Sequence, residues 1–596
     1  MNSIAALKQT IIHETKNHFK LTDDQLMGIE IKINVDKDRS FGDMSCNAAM
    51  LLAKVVGKNP RQIAQELIDV LQEKYSADIK KIEIAGPGFM NLTLTDTLWQ
   101  KFVIELFTHK ESCFKLDFKL DKEQKKLRYL IEFVSANPTG PLHLGHGRGG
   151  IIGDILARVL KFLGHTVHTE FYINDAGNQI KLLGQSLQVR CKQELGIPEE
   201  LPEDGYAGEY MIELAKECVT EFGSDSQDLL EKDDAFFTHY AKEHLLQIQK
   251  HDLKNYGIEF DQWFSEKTLH DDGRVVKALE LLKEKDLAYE QDGALWFRST
   301  QFGDDKDRVV RKSTGELTYI AADIAYHKDK FDRGYDILID IWGHDHHGYV
   351  KRLKATMEAL GFASNRLDVI LYQLVTIKQN DVVVKMSKRA GVFTKLSDVI
   401  DEVGTDVARF FYLNRKAEAH LEFDLEAALK KTDENPVFYI QYAYVRTNSL
   451  LVKAAGTSII SADTGISGEI RAVGVSGDSK TESLAHYVEQ LRNGTLDTQK
   501  LQKILGHISG EEIEVLKKIA SLNDILATIA ASYQTHVLAH YAWELAHKFH
   551  HYYANNRIID VSDVQKTQLR LLMVVLVREA FETCLKLLGL STPEKM

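Results

Sequence analysis

Residues 128–175 constrain the fold more than any other part of the chain. RYLIEFVS is a short apolar run of strand length, and ANPTGPLHLGHGRGG is a turn rich in Gly, Pro and His. IIGDILARVLKFLG has the periodicity of an amphipathic helix and stops at Gly164, after which HTVHTEFYIND reads as a second strand. Strand, turn, helix and strand in this order form the repeating unit of a doubly wound parallel α/β sheet. In such sheets a ligand sits where a strand passes into the following helix.

The flanking segments have other patterns. Residues 1–115 read as a small α+β domain. Its helical runs are MNSIAALKQTIIHETKNHFK and CNAAMLLAKVVGKNPRQIAQELIDVLQEKY, and its alternating strands are GIEIKINVD and IKKIEIAGPGFMNLTL. The α/β domain is expected over 116–405, with a mainly helical, acidic insertion at about 190–300. Strand signals return in GALWFRS, YDILIDIWG and DVILYQLVTIK. Residues 406–596 have the long apolar-periodic runs of an all-α bundle. They contain a Gly/Ser/Thr-rich stretch at about 456–508 that reads as a flexible insertion.

Composition removes several classes. The chain has 596 residues, of which 44% are hydrophobic and 27% charged, as in ordinary globular proteins. No apolar run approaches the roughly 18–20 residues that cross a bilayer. The first twenty residues lack the apolar core of a secretory signal. Five scattered cysteines (Cys46, Cys113, Cys191, Cys218, Cys584) contain no CxxC, so neither a disulfide framework nor a thiolate zinc site is expected and a reducing cytosol fits. The formal net charge is −13. Basic and acidic residues balance in 1–115 and again in 430–596, so the whole acidic excess falls in the middle of the chain. Acidic surface is the ordinary meaning of such an excess. A site for a cation is the functional one.

Two motifs carry chemistry. His143-Leu144-Gly145-His146 follows Asn137-Pro138-Thr139-Gly140-Pro141 at the hand-over from strand to helix. A helix N-terminus presents unpaired N–H groups and the positive end of its dipole to phosphate. Gly145 and Gly147 leave room for a ligand, and two imidazoles one turn apart can donate to phosphate oxygens. Pro138, His143, Gly145, His146 and Gly147 are therefore candidate nucleotide contacts. A zinc site is the rival, but HLGH lacks the Glu of the helical zinc motif. The second motif is Val384-Lys385-Met386-Ser387-Lys388-Arg389-Ala390-Gly391. Two lysines beside Ser and Gly suit a loop that closes over a polyphosphate; alone, such a run is usually a basic surface patch.

In this order the two motifs resemble the HIGH and KMSKS signatures of class I aminoacyl-tRNA synthetases. EFVSANPTGPLHLGH, LTYIAADIAYH, DIWGHDHHGYVKRL, NPVFYIQYAYVR and LLGLSTPEKM narrow the resemblance to the bacterial-type arginyl enzymes. FGDMSCNAAMLLAK, NPRQIA and AGPGFMNL resemble that family's extra N-terminal domain. The resemblance implies a Rossmann-like catalytic domain, an N-terminal domain touching tRNA and a helical anticodon-binding domain. It implies activation of arginine by ATP with Mg2+ and transfer to tRNA(Arg), without structural zinc. His143, His146, Lys385 and Lys388 would be catalytic, with Met386 and Ser387 also at the nucleotide. The expected setting is the cytoplasm. A monomer is expected, with no DNA or membrane partner.

Guanidinium is a planar, permanently charged fork of donors, so a site selecting it should offer carboxylates in its plane. By resemblance, Glu132 and Asp323 do this, Tyr319 flanks the side chain, and Ser135 and Asn137 hold the α-amino end. His344 lies in Gly343-His344-Asp345-His346-His347, where some relatives carry a substrate-contacting Gln. Tyr439, Tyr442, Arg446 and Tyr552 are the candidates for tRNA contact in the bundle, because exposed aromatics stack on unpaired bases. Core packing is the alternative for each of them.

Overall fold

A computed structural model describes residues 2–35, 37–115, 125–222, 226–379, 382–384, 395–457 and 483–596. The chain divides into two units. Residues 1–122, 431–532 and 537–596 form one, and residues 123–430 with 533–536 form the other.

In the first unit, β1 (Ile31–Ile33), β2 (Met44–Cys46), β3 (Ile79–Ala85) and β4 (Phe89–Leu94) pair antiparallel in the order β1-β2-β4-β3. The helix Pro60–Tyr75 begins with Pro at its first turn and is capped by Asn59, whose side chain accepts from the Arg61 N–H at 2.9 Å. It buries Ile63, Ala64, Leu67, Ile68 and Leu71, the spacing of one helical face. The later part of the unit is helical: Pro436–Ala455, Gly510–Ala520, Leu522–Ser532, His536–Asn555 and Val564–Leu588. Distant parts of the chain are joined within the unit. Lys517 Nζ lies 2.8 Å from an Asp43 carboxylate oxygen, and Lys8 pairs with Asp524.

The second unit holds β5 (Arg128–Phe133), β6 (Thr166–Ile173), β7 (Gln262–Ser265), an antiparallel trio β8 (Ala288–Gln291), β9 (Ala294–Phe297) and β10 (Arg308–Arg311), then β11 (Ile337–Gly343) and β12 (Leu367–Tyr372). Its last strands are β13 (Val375–Gln379), β14 (Val382–Val384) and β15 (Leu421–Asp424). Five of them form an all-parallel sheet in the order β12-β11-β5-β6-β7. β5 is central, and five of its six residues are buried. Its side chains alternate between faces. Phe133 meets the helix Leu144–Phe162, and Glu132 meets the helix Tyr319–Asp332.

Three boundaries differ from the sequence pattern. Gln262–Ser265, inside the expected insertion, is the edge strand β7, so the helices from 178 to 255 are the crossover between β6 and β7. Residues 406–430, expected in the bundle, fold with the sheet unit: β15 pairs parallel with β13, and Phe423 and Leu421 are buried. The stretch expected to be flexible contains the helices Leu484–Asn493 and Thr498–Leu505, capped by Ser483 and Asp497; residues 458–482 lie outside the described residues.

Candidate active site

The order of the parallel strands reverses at β5. This strand leads to β6 on one side, while β11 lies on the other, so the crevice at the carboxyl ends of β5 and β11 is the topological switch point. The turn leaving β5 is strained, with Val134 at φ +69° and Ser135 at φ +41°. Left-handed non-glycine residues cost on the order of 1 kcal/mol each and persist where neighbours hold them. Here Ser135 Oγ donates to Glu132 Oε1 at 2.9 Å and accepts from the Tyr172 N–H at 3.1 Å. The buried Gln249 amide donates to the carbonyls of Asn137 and Gly140 at 3.0 and 2.8 Å, which fixes the rest of the turn. Asn137 itself is exposed and donates to Gln179. Pro138 is buried.

The turn delivers HLGH to a helix start. His143 is the N-cap of Leu144–Phe162, and its Nδ1 accepts from the Gly145 N–H at 3.1 Å. His146 Nδ1 accepts from the His143 N–H at 3.0 Å. A neutral ring that accepts at Nδ1 carries its proton on Nε2, so both rings present an N–H donor. Burial lowers the pKa of both. His146 falls to about 4, with His143 as the second cause. Gly147 is buried, and a Cβ there would come 2.7 Å from Leu396 and 3.0 Å from Tyr412. Its missing side chain therefore admits these two neighbours. The Tyr412 hydroxyl donates to the Leu144 carbonyl at 2.8 Å.

Lys385, Met386, Ser387 and Lys388 lie outside the described residues. The segment that follows them is placed. Lys395 and His143 form an antiparallel bridge, and the Leu396 N–H donates to the Leu142 carbonyl at 2.9 Å. Lys395 and Leu396, downstream of the second motif, are thus tied to the first.

On the other face of the sheet lies a row of acids of which the sequence had pointed to Glu132 alone. Glu170, Glu132 and Asp340 are register partners across β6, β5 and β11. The helix Tyr319–Asp332 and the residue after it cover the row. Tyr326 donates to Glu170 at 2.6 Å, and Arg333 grips the same carboxylate at 2.6 and 2.9 Å. Lys330, fully buried, pairs with Glu132 and lies 2.8 Å from Asp340. His327 Nε2 is 2.8 Å from Asp340. One signal was legible: RYLIEF, TVHTEFYI and ILIDIWG each carry an acid inside a strand. Among the described residues, Glu132, His327 and Asp340 are the one group with metal-ligand spacing, but the Lys330 ammonium is bonded to two of its three members.

Asp323 belongs to the same neighbourhood. Its carboxylate accepts from the Tyr349 hydroxyl, and its carbonyl is 2.9 Å from His327 Nδ1. Lys330, His327 and Asp340 act electrostatically on both Glu132 and Asp323, and both acids act on Tyr172. Burial pushes both carboxyls above the usual range. The structure therefore gathers Glu132, Ser135 and Asp323 and adds Lys330, Asp340 and Tyr349. Tyr319, at the start of the same helix, is 67% exposed. His344 is exposed, and its ring stacks on His347 with centroids 5.3 Å apart.

In the first unit the bundle residues separate into two sets. Tyr439 (half-buried), Tyr442 (41% exposed) and Arg446 line one face of Pro436–Ala455, beside His550 and the 44%-exposed Trp543, which stacks on His547. Arg446 lies 4.7 Å from the ring centres of both Tyr442 and Tyr553. Tyr552 is different: it is 4% exposed and its hydroxyl donates to Glu512 at 2.8 Å. It is a core residue with no face to offer a base, because helical spacing alone does not say which aromatic points outward.

A parallel sheet with HLGH at its switch point, bridged to Lys395 downstream of the second motif, defines a class I tRNA synthetase catalytic domain. The sequence profile of tRNA synthetases class I (R), catalytic domain, matches residues 111–437; those of the arginyl tRNA synthetase N-terminal domain and the DALR anticodon binding domain match 5–94 and 479–596. The chain belongs to the arginyl-tRNA synthetase family. It is 41% identical over 566 residues to the arginine--tRNA ligase of Nitratidesulfovibrio vulgaris, covering 95% of each chain. It is 40% identical to arginine--tRNA ligase 1 of Halalkalibacterium halodurans over the full length of both. Among solved structures, a putative arginyl-tRNA synthetase of Campylobacter jejuni matches with TM-score 0.71 and 35% identity, over 84% of this chain and all of the other. The Thermus thermophilus enzyme, at 19% identity and TM-score 0.73, covers 99% of this chain and shares its fold.

Proposed function

We infer that this protein uses ATP to join arginine to tRNA(Arg). The observation that supports this best is the placement of two carboxylates, the buried Glu132 and the half-buried Asp323, in one neighbourhood with Lys330, His327 and Asp340. Guanidinium fits such a pair, because its fork matches carboxylate oxygens and its charge offsets theirs. Tyr319 flanks the substrate side chain, Ser135 and Asn137 hold its α-amino group, and His344 stands at the rim.

The arginine carboxylate attacks the α-phosphorus of ATP, taken as its magnesium complex, and pyrophosphate leaves. The terminal ribose hydroxyl of the tRNA then attacks the acyl carbon, and AMP leaves. The protein's part is positioning and charge stabilisation. Nε2–H of His143 and of His146 donate to phosphate oxygens at the helix start. Pro138, Gly145 and Gly147 shape the nucleotide site. Lys385 and Lys388 neutralise the departing pyrophosphate, with Met386 and Ser387 in the same motif. Tyr439, Tyr442 and Arg446 form a stacking face for tRNA bases. The cytoplasm, where ATP and tRNA are present, is the expected setting. One copy of the chain supplies every residue named. Among the described residues, no helix is long and apolar enough to cross a membrane.

Charging of total tRNA with each amino acid tests the reaction; charging with an amino acid other than arginine would overturn it. Asp323→Asn removes a charge from the fork's partner and is expected to raise the arginine KM about 100-fold. A KM within about threefold of the parent would remove Asp323 from the pocket.

A further inference from the structure

We propose that Lys330 is a positioning residue for arginine selection: its ammonium, shared between Glu132 and Asp340, holds Glu132 as an oriented carboxylate for the substrate's guanidinium. The proposal rests on the reading that Glu132 binds arginine.

The geometry carries it. Lys330 and Asp340 are fully buried and Glu132 is 6% exposed, with the Lys330 ammonium bonded to both carboxylates. Glu132 gives one oxygen to Lys330 and the other to Ser135, so both C–O directions are set from opposite sides. Strand register places Glu132 between two more acids, Glu170 and Asp340. Arg333 and Tyr326 satisfy Glu170. His327 and Lys330 satisfy Asp340. Glu132 is left with Lys330 as its bonded cation. The other groups acting on it are His327 on the same helix, Asp340 on β11, and Tyr172 and Tyr326 from β6 and the helix. Burial pushes the Glu132 carboxyl up, and Lys330 is the largest influence against that. Burial likewise opposes the Lys330 ammonium, but Asp340, Glu132 and Glu170 outweigh it and keep the lysine charged. Without this cation, a carboxylate flanked by two acids in a dry interior takes up a proton. A neutral acid then offers the guanidinium one acceptor fewer and no charge.

The consequence is specific. In Lys330→Met the arginine KM depends on pH, because Glu132 must lose a proton before arginine binds. Charging by the full-length enzyme is measured at several pH values between 6.5 and 9, with each KM expressed relative to the parent at the same pH. The expected ratio is about tenfold or more at pH 7 and falls toward one as pH rises, with kcat changed less than KM. Lys330→Met/Asp340→Asn, which removes an opposite pair and keeps the net charge, is expected to show the same trend. Lys330→Arg keeps the cation and is expected to give a ratio that does not vary with pH. A ratio near one at all pH values, a raised ratio independent of pH in the methionine variants, or a pH-dependent ratio in Lys330→Arg would each overturn the proposal. Glu132→Gln separates the two levels. If it leaves the arginine KM unchanged, the pocket reading fails. If it raises KM while the Lys330 variants behave as the parent, only the role of Lys330 fails.

Discussion

His146 accepts a hydrogen bond from the chain at Nδ1, lies in a mostly dry position next to His143, and so stays neutral down to about pH 4. In the unfolded chain it titrates near the ordinary value of about 6.5. Between these limits the unfolded state binds the extra proton and the native state does not, so stability falls as pH drops from 6.5 toward 4. His146→Gln removes this contribution. The variant is expected to lose about 1 kcal/mol less than the parent between pH 7 and 5, measured by urea unfolding at each pH. The figure allows for the ring's partial solvent contact. At this scale the sequence told most where a residue's neighbours are close in the chain. HLGH and the turn before it are such a case, since the cap, the donors and the strained turn all lie within a dozen residues. The partners of Glu132 were not legible, because Lys330 and Asp340 meet it only through strand register and the covering helix. An acid inside each of three strands was a visible sign, but register had to be known before it meant one row.

The helix Leu144–Phe162 lies close to β5 because glycines face the sheet and its neighbours. A Cβ at Gly153 would come within 2.3 Å of the Phe133 ring, and one at Gly149 within 2.7 Å of Tyr372. Gly153→Ala is expected to destabilise the protein by about 1–3 kcal/mol, the usual cost of overpacking, although alanine favours a helix. Gly348→Ala, where a Cβ meets nothing within 4 Å, is the control. A Gly153→Ala variant with an unchanged denaturation midpoint would show that the helix can lift without cost. Long elements were predictable and short ones only in part: β1 and β9 fall in expected strands, β7 and β15 do not. β7 and β15 have four residues each, too few for a period of two to stand out among helices. Their absence from the sequence reading moved the edge of the sheet and the end of its unit.

The chain divides into two units, and the aromatics proposed to contact tRNA belong to the unit without the parallel sheet. Trp543 and His547 join Tyr439, Tyr442 and Arg446 on that face. Trp543 was not selected from sequence, because a lone Trp in a bundle helix reads as core. Trp543→Ala is expected to raise the tRNA KM about tenfold, as loss of one stacked base would, and to leave the arginine KM unchanged. Steady-state charging with each substrate varied in turn checks this, and equal changes in both constants would assign Trp543 a structural role. The first unit also draws on both ends of the sequence. Lys8, Asp43 and Asn2 meet Asp524, Lys517 and Asn523. On the ribosome, at roughly 5–20 residues per second, the early segment waits roughly half a minute to two minutes for these partners to emerge. Until then its charged groups and open apolar edges are exposed to chaperones and proteases, so a transcript cut short after the sheet domain yields a product whose opening segment is never completed.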